Sequence, residues 1–289
     1  MSTESETLPR RNQSLALSLA SSELGFSVHA GFIDALTGEA GIHPGHIGAA
    51  SSGSYVGGLY CSGIPTSQIR EILASKEMQR SFLEWKGPLR GMGMLFNLAG
   101  YTGLLSGNKA VAFLKKHLGD QRIEECGRAE FSLSVTNLSK GCSEIIRHGP
   151  LAEFIVASCS VPMLFRGRTI GGNIFCDGAI SDSSPFYHFV QNPGIDRIIV
   201  HTVRHAERHL ENIKPLTIAQ VFGQAHQIIT DRFLDLHLEC AQSKGTKVIV
   251  LTSIVPRYRW GKRGTAQLLF DAGRETVLNN LETIRDLLS

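Results

Sequence analysis

The segment from His46 to Tyr60 constrains the fold more than any other part of this sequence. A short apolar run passes through the very small residues Gly-Ala-Ala-Ser-Ser-Gly-Ser and then into a helical pattern. Small side chains are needed where a strand turns sharply into a helix, because the two backbones come close together. The start of a helix also favours negative charge nearby. The segment predicts a strand-to-helix elbow with Ser51 at its corner as a candidate nucleophile. The alternative is a small-residue junction without chemistry.

The rest of the chain alternates short aliphatic runs with longer amphipathic segments. The predicted strands are Leu15–Ala20, His46–Ala50, Phe131–Val135, Arg197–Val203 and Lys247–Leu251. The predicted helices are Phe26–Leu36, Tyr55–Ser62, Thr66–Lys76, Lys109–Leu118, Leu151–Ser158, Thr217–Gln242 and Ala266–Leu288. This alternation predicts an α/β fold with a mainly parallel central sheet and helices on both faces. We expect a flexible tail over residues 1–13 and a single domain over 14–289.

Composition excludes several classes of protein. A hydrophobic fraction of 42% in 289 residues is typical of a globular chain, and a net charge of +3 does not indicate a nucleic-acid-binding protein. The six cysteines contain no C-x-x-C pair, so they predict neither a zinc site nor a disulfide framework. Reduced thiols favour a cytoplasmic location.

The apolar run at Leu15–Ala20 is too short for a signal peptide, and no run approaches the roughly 20 apolar residues of a membrane span. We expect at most peripheral contact with a membrane.

Two later motifs give the elbow a partner. The run Ala157-Ser-Cys-Ser-Val-Pro162 is followed by Asp177-Gly-Ala179. An Asp-Gly pair by itself is typical of a turn. Together with the elbow, however, these motifs resemble the patatin-like phospholipase family, which has a G-x-S-x-G elbow, an A-S-x-S-x-P run and a D-G-[GA] turn. The elbow of this chain has Ala49 in place of the first glycine of that pattern.

Two further segments extend the resemblance to nearly the whole chain. Gly103-Leu-Leu-Ser-Gly-Asn-Lys109 is similar to the family's G-L-x-S-G-D-K stretch. Val135-Thr-Asn-Leu-Ser-Lys-Gly141 is similar to its A-T-D-L-x-x-G segment, with Asn137 replacing the aspartate. The resemblance implies a patatin-like three-layer sandwich.

The resemblance also implies a chemistry without metal or cofactor. In this family a serine and an aspartate form a catalytic dyad, which implies that Ser51 attacks an ester carbonyl while Asp177 accepts its proton. An acyl-enzyme would then be hydrolysed by water. The expected activity is that of a lipid acyl hydrolase, a phospholipase A or carboxylic ester hydrolase, with a lipid or ester as substrate.

The loop expected to hold the oxyanion departs from the family pattern. Where the family has G-G-G-x-[RK]-G, this chain has residues 20–25, Ala-Ser-Ser-Glu-Leu-Gly, and only the last glycine remains. The expected oxyanion contributors are Ser21, Ser22, Gly25 and Ser52, through backbone N–H groups or serine hydroxyls. An inward-pointing Glu23 would hinder catalysis. The alternative function is therefore a weakly active or inactive relative that binds lipid or acts as a scaffold.

Three other features leave alternatives open. A histidine after Asp177 would complete a Ser-Asp-His triad, and the candidates are His188, His201, His205 and His226. His29 is interpreted as a packed structural histidine. The glycine- and methionine-rich stretch from Leu89 to Tyr101 is either a mobile wall over an acyl chain or an ordinary buried connection.

A late basic and aromatic segment gives a candidate membrane contact. Its residues are Arg257, Arg259, Trp260, Lys262 and Arg263. Tryptophan favours the membrane interface, and cations attract anionic headgroups. The alternative is a solvated loop. No basic face extends beyond this segment, so we expect no nucleic-acid partner.

Overall fold

The computed structural model describes residues 11–82, 87–96, 98, 100, 102–206, 218–256 and 264–289. The strands in these residues are β1 (Asn12–Leu19), β2 (Pro44–Ala49), β3 (Gly103–Leu105), β4 (Glu130–Asn137), β5 (Cys142–Ile146), β6 (Met163–Phe165), β7 (Arg168–Ile170), β8 (Asn173–Asp177), β9 (Arg197–His205) and β10 (Lys247–Val255). The α-helices are α1 (Phe26–Asp34), α2 (Ser52–Cys61), α3 (Thr66–Ala74), α4 (Lys76–Ser81), α5 (Gly87–Leu95), α6 (Asn108–Leu118), α7 (Leu151–Ser158), α8 (Tyr187–Val190), α9 (Ile218–Ser243), α10 (Thr265–Leu278) and α11 (Leu281–Leu288).

The main sheet has a parallel part and an antiparallel part. Its strand order is β10-β9-β1-β2-β4-β8-β7, and β5 also pairs with β4. The pairings from β10 through β9, β1 and β2 to β4 are parallel. Strand β8 pairs antiparallel with both β4 and β7. Because β2 and β8 both pair with β4, residues that follow β2 and residues that end β8 meet near the same strand.

Helices cover both faces of the sheet. Leu15, Leu17 and Leu19 of β1 pack into the core formed with α1, α2, α3, α6 and α7. Ala16, on the opposite face of β1, packs with α8 and α9. Successive side chains of a strand point to opposite faces, so this alternation produces three layers. The predicted α/β fold with helices on both faces is confirmed.

Several element boundaries differ from prediction. Strand β1 begins at Asn12, before the predicted domain boundary, because the Asn12 N–H donates to the His43 carbonyl at 2.9 Å. The predicted helix Phe26–Leu36 ends at Asp34 and continues as a π-helical turn, Ala35–Glu39. The predicted helix Ala266–Leu288 is two helices, α10 and α11, separated at residues 279–280, which are both asparagine. Asparagine is a poor helix former whose side chain binds nearby backbone groups, and such a residue favours helix ends.

All six cysteines are free thiols. Among the residues described, no helix has the length and apolar character needed to cross a membrane. The candidate membrane contact at Arg257, Arg259, Trp260, Lys262 and Arg263 lies outside the described residues, as does most of the expected tail at 1–13.

Candidate active site

Ser51 lies at a strained corner between β2 and α2. Its backbone has φ 50° and ψ −118°, a conformation that non-glycine residues rarely adopt and that costs about 1–3 kcal/mol. The neighbouring small residues make the corner possible: a Cβ added to Gly53 would lie 2.2 Å from the Leu19 carbonyl oxygen. The elbow predicted from the sequence is therefore present, and it lies directly against β1.

Three side chains hold the Ser51 backbone in this conformation. The Ser51 N–H donates to Ser158 Oγ at 2.9 Å, and Ser158 Oγ donates to the Ser134 carbonyl at 2.8 Å. The Ser51 carbonyl accepts from Ser54 Oγ at 2.6 Å and from Cys159 Sγ at 3.1 Å. The strained conformation of Ser51 is thus stabilised by two residues at the end of α7 and by Ser54 of α2.

The structure brings Asp177 to Ser51. Asp177 ends β8, and its Oδ2 accepts from Ser51 Oγ at 2.9 Å. Its Oδ1 accepts from the Ala179 N–H at 2.8 Å, and its own N–H donates to the Ser160 carbonyl at 2.9 Å. Both carboxylate oxygens therefore have fixed partners. A side chain at Gly178 would meet the Ser134 carbonyl oxygen at 2.2 Å, which explains why glycine follows the aspartate.

The A-S-x-S-x-P run has a structural role that reasoning from the sequence did not assign. Ser158 binds the backbone of Ser51, and Ser160 binds the backbone of Asp177. Cys159, between them, donates to the Ser51 carbonyl. One turn of chain thus connects the two candidate catalytic residues. The motif itself was the signal for these positioning residues, although it did not show which backbone groups they contact.

Burial makes Asp177 a stronger base than an ordinary aspartate. The side chain is 2% exposed, and this desolvation raises its pKa from 3.8 to about 7, against smaller opposing effects of the Ala179 N–H and the Ser51 hydroxyl. A carboxylate with this pKa is matched to proton transfer near neutral pH.

The predicted oxyanion contributors divide into two groups. The Ser21 N–H donates to the Ser183 carbonyl at 2.7 Å, and the Ser22 N–H donates to Ser52 Oγ at 3.0 Å. The hydroxyls of Ser22 and Ser52 bind each other at 2.8 Å. The backbone donors of Ser21 and Ser22 are thus occupied by acceptors of the protein, contrary to the prediction. Among the described residues, the backbone N–H groups of Gly25 and Ser52 have no hydrogen-bond acceptor. Both residues lie at helix N-termini.

Glu23 does not oppose a negative charge at this site. Its side chain is 86% exposed, and its carboxylate lies 3.9 Å from His205 Nε2. The acidic residue of the altered loop therefore points into solvent.

No histidine of the described residues hydrogen-bonds Ser51. His188 Nε2 binds Ser132 Oγ at 3.0 Å, and His201 Nε2 binds Ser253 Oγ at 2.9 Å. His205 faces Glu23. The geometry therefore does not support the alternative of a Ser-Asp-His triad.

The stretch from Leu89 to Tyr101 is described only in part. Its α5 portion is followed by β3, which pairs with β6. Met92, Leu95 and Phe96 are more than half exposed, so the described part is not an ordinary buried connection.

A three-layer α/β fold with a serine at a strand-to-helix elbow and a buried carboxylate against its hydroxyl is typical of serine-dependent hydrolases. The chain belongs to the patatin-like phospholipase family: a sequence model of that description matches residues 24–190. Membership of this family supports a lipid-hydrolase function.

Two known proteins show the extent of the similarity. Lysophospholipase NTE1 of Yarrowia lipolytica is 29% identical over 157 residues, which cover 54% of this chain and 10% of that protein. The chain thus spans about a tenth of the length of this curated relative. The crystal structure of VipD from Legionella pneumophila matches with a TM-score of 0.51 and 14% identity, over 98% of this chain and 72% of that one. The similarity to VipD concerns the fold.

Proposed function

We propose that this protein is a lipid acyl hydrolase, a phospholipase A or carboxylic ester hydrolase, that works through a Ser51–Asp177 dyad. The observation that carries the proposal is the 2.9 Å hydrogen bond from Ser51 Oγ to Asp177 Oδ2. Family membership supports a lipid substrate.

The chemistry proceeds in two steps. Asp177 takes the hydroxyl proton while Ser51 Oγ attacks the ester carbonyl carbon, and the protonated Asp177 then gives that proton to the departing alkoxide. This leaves an acyl-Ser51 ester. In the second step Asp177 takes a proton from water, the hydroxide attacks the acyl carbon, and Ser51 leaves with the proton returned by Asp177.

The oxyanion formed in each step needs hydrogen-bond donors. We assign this role to the backbone N–H of Ser52, the residue after the nucleophile, because it starts α2 and has no acceptor among the described residues. The Gly25 N–H is the second candidate. The hydroxyls of Ser22 and Ser52 are bound to each other and serve the loop's conformation instead.

The occupied backbone donors of Ser21 and Ser22 favour one alternative. A protein that has lost oxyanion donors would bind lipid, or act as a scaffold, with little turnover. Removal of one such donor reduces the rate of an enzyme about 10²- to 10³-fold.

A fluorophosphonate probe tests the nucleophile directly. We expect labelling of Ser51, located by peptide mass mapping, and its loss in Ser51→Ala. Ser62→Ala, at the other end of α2, is the matched control and retains labelling. Labelling that persists at another residue in Ser51→Ala contradicts the assignment of the nucleophile.

Fatty-acid release from phospholipid and lysophospholipid vesicles distinguishes the two functions. The hydrolase is expected to release fatty acid, and Asp177→Asn to abolish the release while vesicle binding persists. Vesicle binding without release by the unsubstituted protein favours the lipid-binding alternative.

A further inference from the structure

A continuous chain of polar side chains leads from the nucleophile elbow to α10. In order, its members are Ser52, Ser22, His29, His201, Ser253 and Thr276. The consecutive distances between their polar atoms are 2.8, 3.3, 2.9, 2.9 and 2.6 Å. All members except the half-buried Ser22 are buried. The proposed mechanism does not use the two histidines, so their presence in the core calls for a separate explanation.

Both histidines are neutral. Burial lowers the pKa of His29 to about 4, against a smaller opposing effect of the Ala20 carbonyl, and burial lowers the pKa of His201 well below its usual value, helped by His29. The two rings face each other through their Nδ1 atoms at 2.9 Å. Two neutral rings can share such a contact only when one Nδ1 carries a hydrogen and the other does not. The two histidines are therefore opposite tautomers.

The far end of the chain fixes the direction of donation. Thr276 Oγ1 donates to the Ala272 carbonyl at 2.9 Å, so its one hydrogen is used there. Ser253 must then donate to Thr276, and His201 Nε2 must donate to Ser253. This leaves His201 Nδ1 as an acceptor for the Nδ1–H of His29.

The same direction continues to the elbow. His29 Nε2 then accepts from the Ser22 hydroxyl, and Ser22 Oγ accepts from the Ser52 hydroxyl. The backbone N–H of Ser22 also donates to Ser52 Oγ, so Ser22 is bound to Ser52 twice. A Cβ at Gly25 would lie 2.2 Å from Ser22 Oγ, which shows that the loop encloses this hydroxyl.

We propose that His29 and His201 are positioning residues for the nucleophile elbow, which they hold by binding Ser22 and, through it, Ser52. Through these two contacts Ser22 fixes residues 21–25 against Ser52, the first residue of α2. The inference rests on the proposed function, because the effect of the histidines on the reaction passes through the Ser52 N–H.

The tautomers provide a spectroscopic test that does not depend on activity. In the full chain labelled with ¹⁵N-histidine, we expect the Nδ1–H tautomer for His29 and the Nε2–H tautomer for His201 at pH 7. The two resonances are assigned by their loss in His29→Gln and His201→Gln. The proposed hydrogen-bond arrangement would be overturned if both histidines were the same tautomer, or if either ring were charged at pH 6.

A matched pair of variants tests the positioning role. The amide of His29→Gln reaches the place of Nε2 and can still accept from Ser22, whereas that of His29→Asn reaches only the place of Nδ1 and His201. We expect kcat of His29→Asn to fall about 10- to 100-fold with KM nearly unchanged, and His29→Gln to recover most of it. Ser22→Ala should reproduce the loss and serves if His29→Asn fails to fold.

His188→Gln controls for the loss of a buried histidine. His188 binds Ser132, which is not a member of the hydrogen-bonded row from Ser52 to Thr276. It should reduce stability and leave kcat unchanged. If Ser51 is labelled and His29→Gln, His29→Asn and Ser22→Ala all keep the kcat of the unsubstituted protein, the positioning role is overturned. The proposed hydrolase function is not affected by that result. Absence of labelling at Ser51 would contradict the proposed hydrolase function instead. The histidine tautomers would still test the hydrogen bonds from Ser52 to Thr276.

Discussion

The hydroxyl of Ser158 holds the backbone of Ser51, whose N–H donates to it at 2.9 Å across 107 residues of sequence. Ser158 is buried and hydrogen-bonded to the Ser134 carbonyl, so its own position is fixed by β4. The conformation of the candidate nucleophile is therefore set by a residue that does not take part in the chemistry.

Removal of this contact should slow the reaction and leave substrate binding intact. In Ser158→Ala the Ser51 N–H loses its acceptor, at a cost of about 1–3 kcal/mol, and we expect kcat to fall about 10- to 100-fold with little change in KM. Steady-state kinetics on a soluble ester provides the measurement. Ser54→Ala is the comparison: the Ser51 carbonyl keeps donors from Cys159 and Tyr55, so the loss should be smaller. Equal losses in both variants would argue against this role of Ser158.

The rate should depend on pH through the ionisation of Asp177. Its pKa is raised to about 7 by burial, and only the deprotonated carboxylate can accept a proton. We expect kcat/KM to rise about tenfold per pH unit below pH 7 and to level off above it, measured from pH 5 to 9 on an uncharged ester. Asp182, whose pKa burial raises to about 6, is the control, and Asp182→Asn should leave the midpoint in place. A rate that stays constant from pH 5 to 9 would contradict the raised pKa of Asp177.

The same shift predicts that Asp177 reduces stability at neutral pH. The pKa rises from 3.8 to about 7 on folding, so the folded state binds more protons between these values. The free energy of unfolding should therefore fall as pH rises through this window, by about 4 kcal/mol at most. Asp177→Asn should remove this loss and raise stability at pH 8, with a smaller difference at pH 5. Urea denaturation at the two pH values measures the effect, and a less stable variant at pH 8 would contradict it.

The close contact between α2 and β1 should make the elbow intolerant of a single methyl group. In Gly53→Ala the added carbon would lie 2.2 Å from the Leu19 carbonyl oxygen, and we expect a loss of about 1–3 kcal/mol of stability together with reduced labelling of Ser51. Gly223→Ala on α9, where no described residue lies within 4 Å of the added carbon, should instead stabilise by about 0.5–1 kcal/mol. Thermal unfolding of both variants provides the measurement. Unchanged stability in Gly53→Ala would argue against this packing.

Local chemistry explains what could be predicted from the sequence. The elbow and the Asp-Gly turn depend on small residues within a few positions of Ser51 and Asp177, and both lie where their motifs indicated. The parallel strands were predicted because they are long enough to show an aliphatic run. The antiparallel strands β5, β7 and β8 were missed, and so were β3 and β6 of the small second sheet: each has only three to five residues, too few to show a clear pattern.

The direction of the N–H groups in residues 20–25 could not be predicted from the sequence, because it too depends on contacts with distant segments. Ser21 turns to the carbonyl of Ser183, and Ser22 turns to the hydroxyl of Ser52. Both acceptors come from other segments of the sequence, so the local pattern of residues 20–25 does not predict them. The pairing of His29 with His201, 172 residues apart, belongs to the same class of contact.

The antiparallel pairing of β8 affects how the protein loses activity when it begins to unfold. Only three residue pairs join β8 to β4: Val135 with Asp177, Thr136 with Cys176 and Asn137 with Phe175. A slip of one residue would turn Asp177 to the opposite face, and fraying of the β7–β8 hairpin would withdraw it altogether. Since β8 joins the sheet beyond the parallel strands, we expect the hairpin to open before those strands unfold, so that heat or denaturant abolishes activity before spectroscopy detects a loss of structure.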